Sequence, residues 1–116
     1  MNNDDCVFCQ IINGSVSGEI IREDNDFVAF RDINPQAPEH ILIIPRKHIE
    51  RLSQTVEEDT LLLGKMLSLA AALAKENNFI SNGYRIVINE GKDGGQTVYH
   101  IHLHLLAGRR LLWPPG

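Results

Sequence analysis

The run QTVYHIHLHLLAGRR, residues 96–110, constrains the fold most, because it alternates histidine with large apolar residues. Successive side chains of a β-strand point to opposite faces of the sheet. The pattern therefore predicts a strand over 97–108 with one polar face and one core face. The polar face would carry three histidines, His100, His102 and His104. The core face would carry the residues between and beside them, Tyr99, Ile101, Leu103 and Leu105.

The remaining apolar segments predict an α+β fold with an antiparallel sheet, because the strands do not alternate with helices one for one. A short helix is expected at 6–14, ending at Asn13-Gly14, and a long helix at 56–77, where Thr55 and Glu58 have the spacing of a capping box. Four further strands are expected at 19–24, 27–33, 40–45 and 84–89.

The long helix is apolar on more than one side. One stripe has helical spacing and consists of Leu62, Met66, Leu69, Ala70 and Leu73. A second set widens the apolar surface, namely Leu61, Leu63 and Leu67. Such a helix is either a deeply buried core helix or one that packs on the sheet and on a second subunit. Both interpretations stay open at this point.

Composition limits the classes of partner. The chain has 116 residues and a formal net charge of -4, which fits one domain over 1–116 without an electrostatic footprint for nucleic acid. We expect the last residues, 106–116, to form an extended tail. No apolar segment is long enough for a membrane span, and the polar, acidic start is not a signal peptide, so we expect a cytoplasmic protein.

Three histidines on one face favour a metal site, a nucleotide or phosphate site, or both. They could hold zinc as an open three-nitrogen site, or act in proton transfer and nucleophilic attack near neutral pH. The preceding segment EGKDGGQ, residues 90–96, predicts a glycine-rich loop, and the N–H groups of its GKDGG part could approach a phosphate. Gln96 and Thr97 add side-chain donors beside it.

The residues HIHLHLL resemble the signature of the histidine-triad family. The segments 29–49 and 84–109 and the terminal WPPG resemble its Hint branch, the histidine-triad nucleotide-binding proteins. This resemblance implies a five-stranded antiparallel sheet with two helices. It also implies a homodimer, which forms through the long helix and a strand into a ten-stranded sheet. The implied activity is hydrolysis of purine nucleoside phosphoramidates to a nucleoside monophosphate and an amine, through a nucleotidyl-histidine intermediate and without a catalytic cofactor.

The resemblance also implies roles for individual residues. His102 would be the nucleophile, His40 would lie beside it and help set its tautomer, and His104 and Thr97 would contact the α-phosphate. Asp32 would accept the ribose hydroxyls, and Trp113 would reach the site of the partner subunit. Near the phosphate we expect Asn89 and the backbone N–H groups of the 94–97 loop, which includes Gly95 and Gln96. The purine slot would consist of Val7, Phe8, Ile11, Phe30 and Ile33.

The pair Cys6 and Cys9 forms a C-x-x-C motif, which is redox-active or half of a metal site when no secretory signal is present. Several histidine-triad proteins hold a structural zinc, and their ligand pattern is matched here by Cys6, Cys9, His48 and His100. A closed Cys₂His₂ set suits zinc in a structural role. The alternatives are a reduced pair that packs the first helix and, with less support, a thioredoxin-like redox pair.

Three other functions stay open beside the phosphoramidase. One is a dinucleoside polyphosphate hydrolase of the related Fhit branch. Another is a nucleotide-binding regulatory protein whose catalysis is incidental. The last is a zinc-dependent hydrolase that uses all three histidines.

Overall fold

A computed structural model describes residues 5–116 and contains one five-stranded antiparallel sheet. In chain order its strands are β1 (Ile20–Glu23), β2 (Phe27–Arg31), β3 (Glu39–Pro45), β4 (Tyr84–Ile88) and β5 (Leu103–Ala107). They lie side by side in the order β1-β2-β3-β5-β4, and each neighbouring pair is antiparallel. The α-helices are α1 (Val7–Ile12), α2 (Thr60–Glu76) and α3 (Gly91–Gly94). The predicted α+β fold with a five-stranded antiparallel sheet is confirmed.

The sheet is covered on both faces, which explains why β3 is an unbroken apolar run. Ile41 and Ile43 point into a core that includes the buried residues of α2. Leu42 and Ile44 point the other way, into a smaller core completed by β2 and α1. Alternate side chains of a strand bury on opposite faces, so a strand with two covered faces must be apolar throughout.

The long helix begins later than its sequence predicts. A 3₁₀ turn, Glu57–Asp59, precedes α2, and the carboxylate of Asp59 accepts from the N–H of Val56 at 2.9 Å and from Lys47 Nζ at 2.7 Å. The expected cap, Thr55, instead donates its hydroxyl to the carbonyl of Leu52. The predicted capping box of Thr55 and Glu58 is therefore wrong. The buried carboxylate of Asp59, paired with Lys47, accepts the N–H of Val56 instead.

One side of α2 is buried and another is exposed. Its buried residues are Met66, Ala70, Leu73 and Ala74. Leu61 is 70% exposed and Leu67 is 49% exposed. Leu61 and Leu67 of the second apolar set thus face solvent, whereas Leu63 packs against the core.

The predicted histidine strand is shorter than expected, because β5 begins at Leu103 and not near Thr97. Ile101 donates its N–H to the carbonyl of Ile49 at 2.7 Å, a bond outside the sheet ladder. Ile101, Leu103 and Leu105 are buried as predicted, whereas Tyr99 is 39% exposed. The guanidinium of Arg51 lies 4.9 Å from the centroid of the Tyr99 ring, so the prediction of a core-facing Tyr99 is wrong.

Two glycines shape the segments on either side of β5. The predicted glycine-rich loop is instead the short helix α3, which ends at Gly95 with a φ of +87°. The strand β5 ends at Ala107, so the extended tail begins at Gly108, two residues later than predicted.

Within residues 5–116, none of the helices has the length and apolar character needed to cross a membrane.

Candidate active site and metal cluster

A cavity of about 270 Å³ lies between α1 and the sheet. Its walls are mostly apolar, and its polar lining includes His102, His104, Asp32 and Thr97. The predicted purine-slot residues all line it, namely Val7, Phe8, Ile11, Phe30 and Ile33. Sequence reasoning missed other lining residues, namely Val16, Ser17, Gly18, Arg31, Leu42 and Val98. Strand alternation could have indicated Leu42, because it lies two residues from His40 on β3 and therefore points to the same face of the sheet.

The helix α1 joins the cavity to the cysteine pair, because its two sides carry different residues. The ring of Phe8 lies edge-on to His102 at 5.0 Å, to Phe30 at 5.6 Å and to His100 at 6.0 Å between centroids. Cys6 caps this helix, since its Sγ accepts from the N–H of Cys9. One short helix therefore supports both the cavity wall and the cysteines.

The imidazole of His102 is held in a single tautomer. Its Nδ1 lies 2.8 Å from the carbonyl oxygen of His100, and a carbonyl can only accept, so Nδ1 carries the proton. The other nitrogen, Nε2, then holds a free lone pair. The side chain is 5% exposed, and burial lowers the pKa of His102, so the ring is neutral near pH 7. A neutral, oriented imidazole at a cavity wall is competent as a nucleophile.

A second chain of hydrogen bonds sets the tautomer of His104. The N–H of Gln36 donates to Nδ1 of His40 at 3.0 Å, so the proton of a neutral His40 lies on Nε2. That Nε2 is 2.9 Å from Nδ1 of His104, which must accept. The proton of His104 is then on Nε2, the nitrogen available as a donor. His40 thus bonds to His104, whereas the sequence placed it beside His102 as the group that helps set the tautomer of that ring.

Burial keeps this pair of histidines uncharged. It lowers the pKa of His40, with an opposing effect from Asp32, whose Oδ2 lies 3.5 Å from His40 Nε2. Burial, with smaller contributions from His102 and His40, lowers the pKa of His104 to about 4. The other carboxylate oxygen of Asp32 accepts from the N–H of Asn34 at 2.8 Å. Near neutral pH the imidazoles of His40, His102 and His104 are therefore neutral.

The ligand atoms of Cys6, Cys9, His48 and His100 all lie within 4.8 Å of one another. Cys6 Sγ is 3.4 Å and Cys9 Sγ is 3.6 Å from Nδ1 of His100, and His48 Nδ1 is 3.3 Å from Cys9 Sγ. The two imidazole Nδ1 atoms are 3.2 Å apart. Tetrahedral zinc with ordinary bond lengths separates sulfur from nitrogen by about 3.6 Å and nitrogen from nitrogen by about 3.3 Å.

The protonation of this cluster also fits a cation. His100 Nε2 lies 2.8 Å from the carbonyl of Pro45 and must donate, which leaves its Nδ1 lone pair directed at the sulfurs. Burial and the neighbouring Cys6 raise the pKa of Cys9 to about 11, so this thiol needs a cation to ionise near neutral pH. His100 is fully buried. The donor set and its geometry therefore fit zinc.

The other predicted residues lie outside the cavity lining. Gln96 is buried, where its Oε1 accepts from Gly91 N–H and its Nε2 donates to the carbonyls of Glu50 and Val98. The N–H groups of Gly95 and Gln96 donate to carbonyls within the α3 turn. Asn89 is half-buried beside Gly95, and Trp113 is 81% exposed.

Comparison with known proteins points to one family. The HIT domain family matches residues 13–111 of the chain. An uncharacterized HIT-like protein of Synechococcus elongatus is 47% identical over 114 residues, which cover 98% of this chain and 99% of that protein.

Solved structures agree in fold. A HIT family hydrolase from Legionella pneumophila is 48% identical with a TM-score of 0.94, covering 97% of this chain and 100% of that one. A histidine triad nucleotide-binding protein from Candida albicans is 30% identical with a TM-score of 0.81, covering 97% and 85%. The chain therefore belongs to the HIT, or histidine-triad, family.

Proposed function

We propose that this protein is a purine nucleoside phosphoramidase, a hydrolase that converts nucleoside 5′-phosphoramidates to a nucleoside monophosphate and an amine. The observation that carries the proposal is the bond from His102 Nδ1 to the carbonyl of His100 at 2.8 Å. It leaves the Nε2 lone pair for attack in a cavity whose walls are mostly apolar. The relatives support the class, since one is called a hydrolase and another a nucleotide-binding protein.

The proposed reaction has two displacements at phosphorus. Nε2 of His102 attacks the α-phosphorus, and the amine leaves with the electron pair of the P–N bond and a proton delivered by water. The hydroxide left by that water then attacks the nucleotidyl-histidine, which releases the monophosphate and returns the neutral imidazole. Nε2–H of His104 and the hydroxyl of Thr97 would donate to the phosphate oxygens, which lowers the energy of the charge that develops there. Asp32 would accept the ribose hydroxyls.

A rescue experiment tests the nucleophile. We expect His102→Gly to lose turnover of an adenosine phosphoramidate and to regain part of it with added imidazole, which fits the space left by the side chain. Acid-quenched wild-type enzyme should carry one covalently bound nucleotide, detected by mass spectrometry. Near-normal turnover by His102→Gly without imidazole would refute the role of His102.

The substrate class needs its own comparison. We expect a higher kcat/KM for an adenosine phosphoramidate than for a diadenosine polyphosphate, and the reverse ranking would favour the dinucleoside polyphosphate hydrolase. A regulatory binding protein would be favoured if His102→Ala still bound adenosine monophosphate and kept its cellular role. The zinc-dependent hydrolase that uses all three histidines has little geometric support. The three Nδ1 atoms have different partners. That of His100 faces the sulfur of Cys6, that of His102 bonds to a carbonyl, and that of His104 bonds to His40.

A structural zinc at Cys6, Cys9, His48 and His100 forms part of the proposal. When bound, the ion would supply no chemistry to the reaction and would tie α1 to the end of β3 and to the segment before β5. His102 and His104 then keep the chemical roles, while His100 is a structural ligand. Metal analysis of the purified protein should give one zinc per chain, and a metal-free native protein would contradict the site.

We also propose a homodimer that forms through α2. Support comes from Leu61 and Leu67, which are exposed on an otherwise well-packed helix. Leu61 and Leu67 lie about 120° apart around the helix, and they extend its apolar surface beyond the buried stripe. Light scattering should report a dimer, and Leu67→Lys should shift it toward the monomer. A clean monomer of the wild type at micromolar concentration would contradict the dimer.

A further inference from the structure

The tail that follows β5 holds the loop between β2 and β3. Arg109 donates to the carbonyl of Gln36 from Nε at 3.3 Å and from Nη2 at 2.9 Å. Gly108 has a φ of +95°, and a Cβ there would lie only 2.9 Å from Cβ of Pro38. A glycine is therefore needed for the tail to approach the loop this closely. Two adjacent tail residues thus fix the position of one short loop segment.

Gln36 connects this contact to the site histidines. Its carbonyl faces Arg109, and its own N–H, on the other side of the same Cα, donates to Nδ1 of His40 at 3.0 Å. Its side-chain Nε2 donates to the carbonyl of Asn34 at 3.0 Å, which closes the loop. From His40 the chain continues to Nδ1 of His104 at 2.9 Å. The backbone of Gln36 therefore lies between an arginine of the tail and His40, whose ring bonds to His104 of the cavity lining.

We propose that Arg109 is a positioning residue that holds His104 in the tautomer with its proton on Nε2. Its guanidinium keeps the Gln36 N–H against His40 Nδ1, and this bond forces the proton of His40 onto Nε2. Without the anchor, His40 can carry its proton on Nδ1, and His104 no longer has to accept at Nδ1. The catalytic consequence rests on the proposed function, since a lone pair on His104 Nε2 would repel an anionic phosphate.

Nitrogen NMR of the histidine rings tests the proposal without substrate. In ¹⁵N-labelled wild-type protein, His40 and His104 should each show a protonated Nε2 and an unprotonated Nδ1. Arg109→Gln should move their Nδ1 and Nε2 shifts toward the average of two tautomers. Arg110→Gln, the matched control, makes the same charge change at the next position and should keep the wild-type shifts. Wild-type shifts in Arg109→Gln would overturn the proposal.

Activity gives a second readout. Arg109→Gln should lower kcat/KM for a phosphoramidate by about fivefold, the equilibrium ratio that corresponds to one exposed charged hydrogen bond. Arg109→Lys should recover part of the loss, because an ammonium group can donate once to the same carbonyl. Gly108→Ala, which displaces the tail by a different route, should reproduce the NMR change. A loss of activity with unchanged tautomers would overturn the positioning role.

The two failures can be told apart. If the enzyme does not turn over phosphoramidates but the tautomers depend on Arg109, the proposed function fails and the positioning role stands. If turnover proceeds through His102 and the tautomers ignore Arg109, the positioning role fails alone. Thermal denaturation of Arg109→Gln should match that of Arg110→Gln, because both side chains are exposed. A drop in melting temperature confined to Arg109→Gln, with wild-type NMR shifts, would mean a purely structural role and would also overturn the proposal.

Discussion

Within residues 5–116, two groups of possible metal ligands lie close together, and in only one of them do the lone pairs of the ring nitrogens face the other ligands. The first, the cysteine cluster, is Cys6, Cys9, His48 and His100, and the second, the acid–histidine cluster, is Asp32, His40 and His104. In the cysteine cluster, Nε2 of His100 donates to the carbonyl of Pro45, so the lone pair of Nδ1 faces the sulfurs. In the acid–histidine cluster, Nδ1 of His40 accepts from the N–H of Gln36, so Nε2 of His40 carries a proton at the position where a metal would bind.

The comparison shows that the second hydrogen bond of an imidazole decides its use. A carbonyl partner leaves a lone pair on the other ring nitrogen, available to a metal or for attack, whereas an N–H partner leaves a proton there. The acid–histidine cluster is thus arranged as a proton-bearing relay that ends on His104. The spacing of histidines along the chain does not contain this information, because the partners are the backbone carbonyl of Pro45 and the backbone N–H of Gln36, whose positions are set by the folded backbone.

The largest expected effect is loss of metal from the cysteine cluster. Cys9→Ser should lower the zinc content to near zero and reduce the free energy of unfolding by roughly 3 kcal/mol, since metal binding contributes to folding. The matched change in the other cluster, Asp32→Asn, should leave the zinc content unchanged. Metal analysis and denaturant unfolding measure both. Equal zinc loss in the two variants would break the distinction between the clusters.

The next effect concerns catalysis through the acid–histidine cluster. His104→Ala should lower kcat for a phosphoramidate by about a hundredfold, the usual cost of one donor to developing charge. The zinc content should stay at the wild-type level, because the ring of His104 bonds to His40 and not to the cysteines. Steady-state kinetics and metal analysis test the two statements together. Unchanged kinetics would remove His104 from the reaction.

Acid should destabilise the fold through the buried histidines. Unfolded histidine has a pKa of about 6.5, and burial lowers the pKa of His104 in the folded protein to about 4. Between these values the unfolded chain binds more protons, so stability is full above pH 6.5 and falls as the pH drops toward 4. His104→Gln should reduce the slope of the unfolding free energy against pH in this window by an amount that corresponds to less than one bound proton. An unchanged slope would mean that His104 is charged in the folded state.

The smallest expected effect links the two clusters. Phe8 contacts His100 and His102 from the same helix that carries Cys9, so metal should steady one wall of the cavity. Removing zinc from the folded protein should weaken binding of adenosine monophosphate by about fivefold, the low end of the usual range for coupled sites. Calorimetry of the zinc-bound and zinc-free forms measures the ratio. The nucleotide should strengthen zinc binding by the same factor, and a ratio of one would show that the clusters are independent.

Much of the fold could be predicted from local patterns. The strands β2 and β3 are runs of buried apolar residues, and the short helix α1 ends where Asn13 and Gly14 stop it. The start of α2 could not be predicted, because the burial of Asp59 against Lys47 is a tertiary contact. The start of the histidine strand could not be predicted either, because the N–H of Ile101 donates to the carbonyl of Ile49 and not to a strand of the sheet.

The sequence by itself determined the antiparallel α+β fold, the HIT family and the set of residues that bring histidine and cysteine chemistry together. Apolar periodicity and a dense motif are local properties, so they can be read along the chain. The tertiary structure decided what each histidine can do. His100, His102 and His40 have ring nitrogens that bond to the backbone of Pro45, His100 and Gln36, respectively. Folding alone brings Pro45 to His100 and His40 to His104, whereas the bonds from His100 to His102 and from Gln36 to His40 are local and depend on the backbone conformation. A hydrogen bond at one ring nitrogen determines whether the other carries a lone pair or a proton.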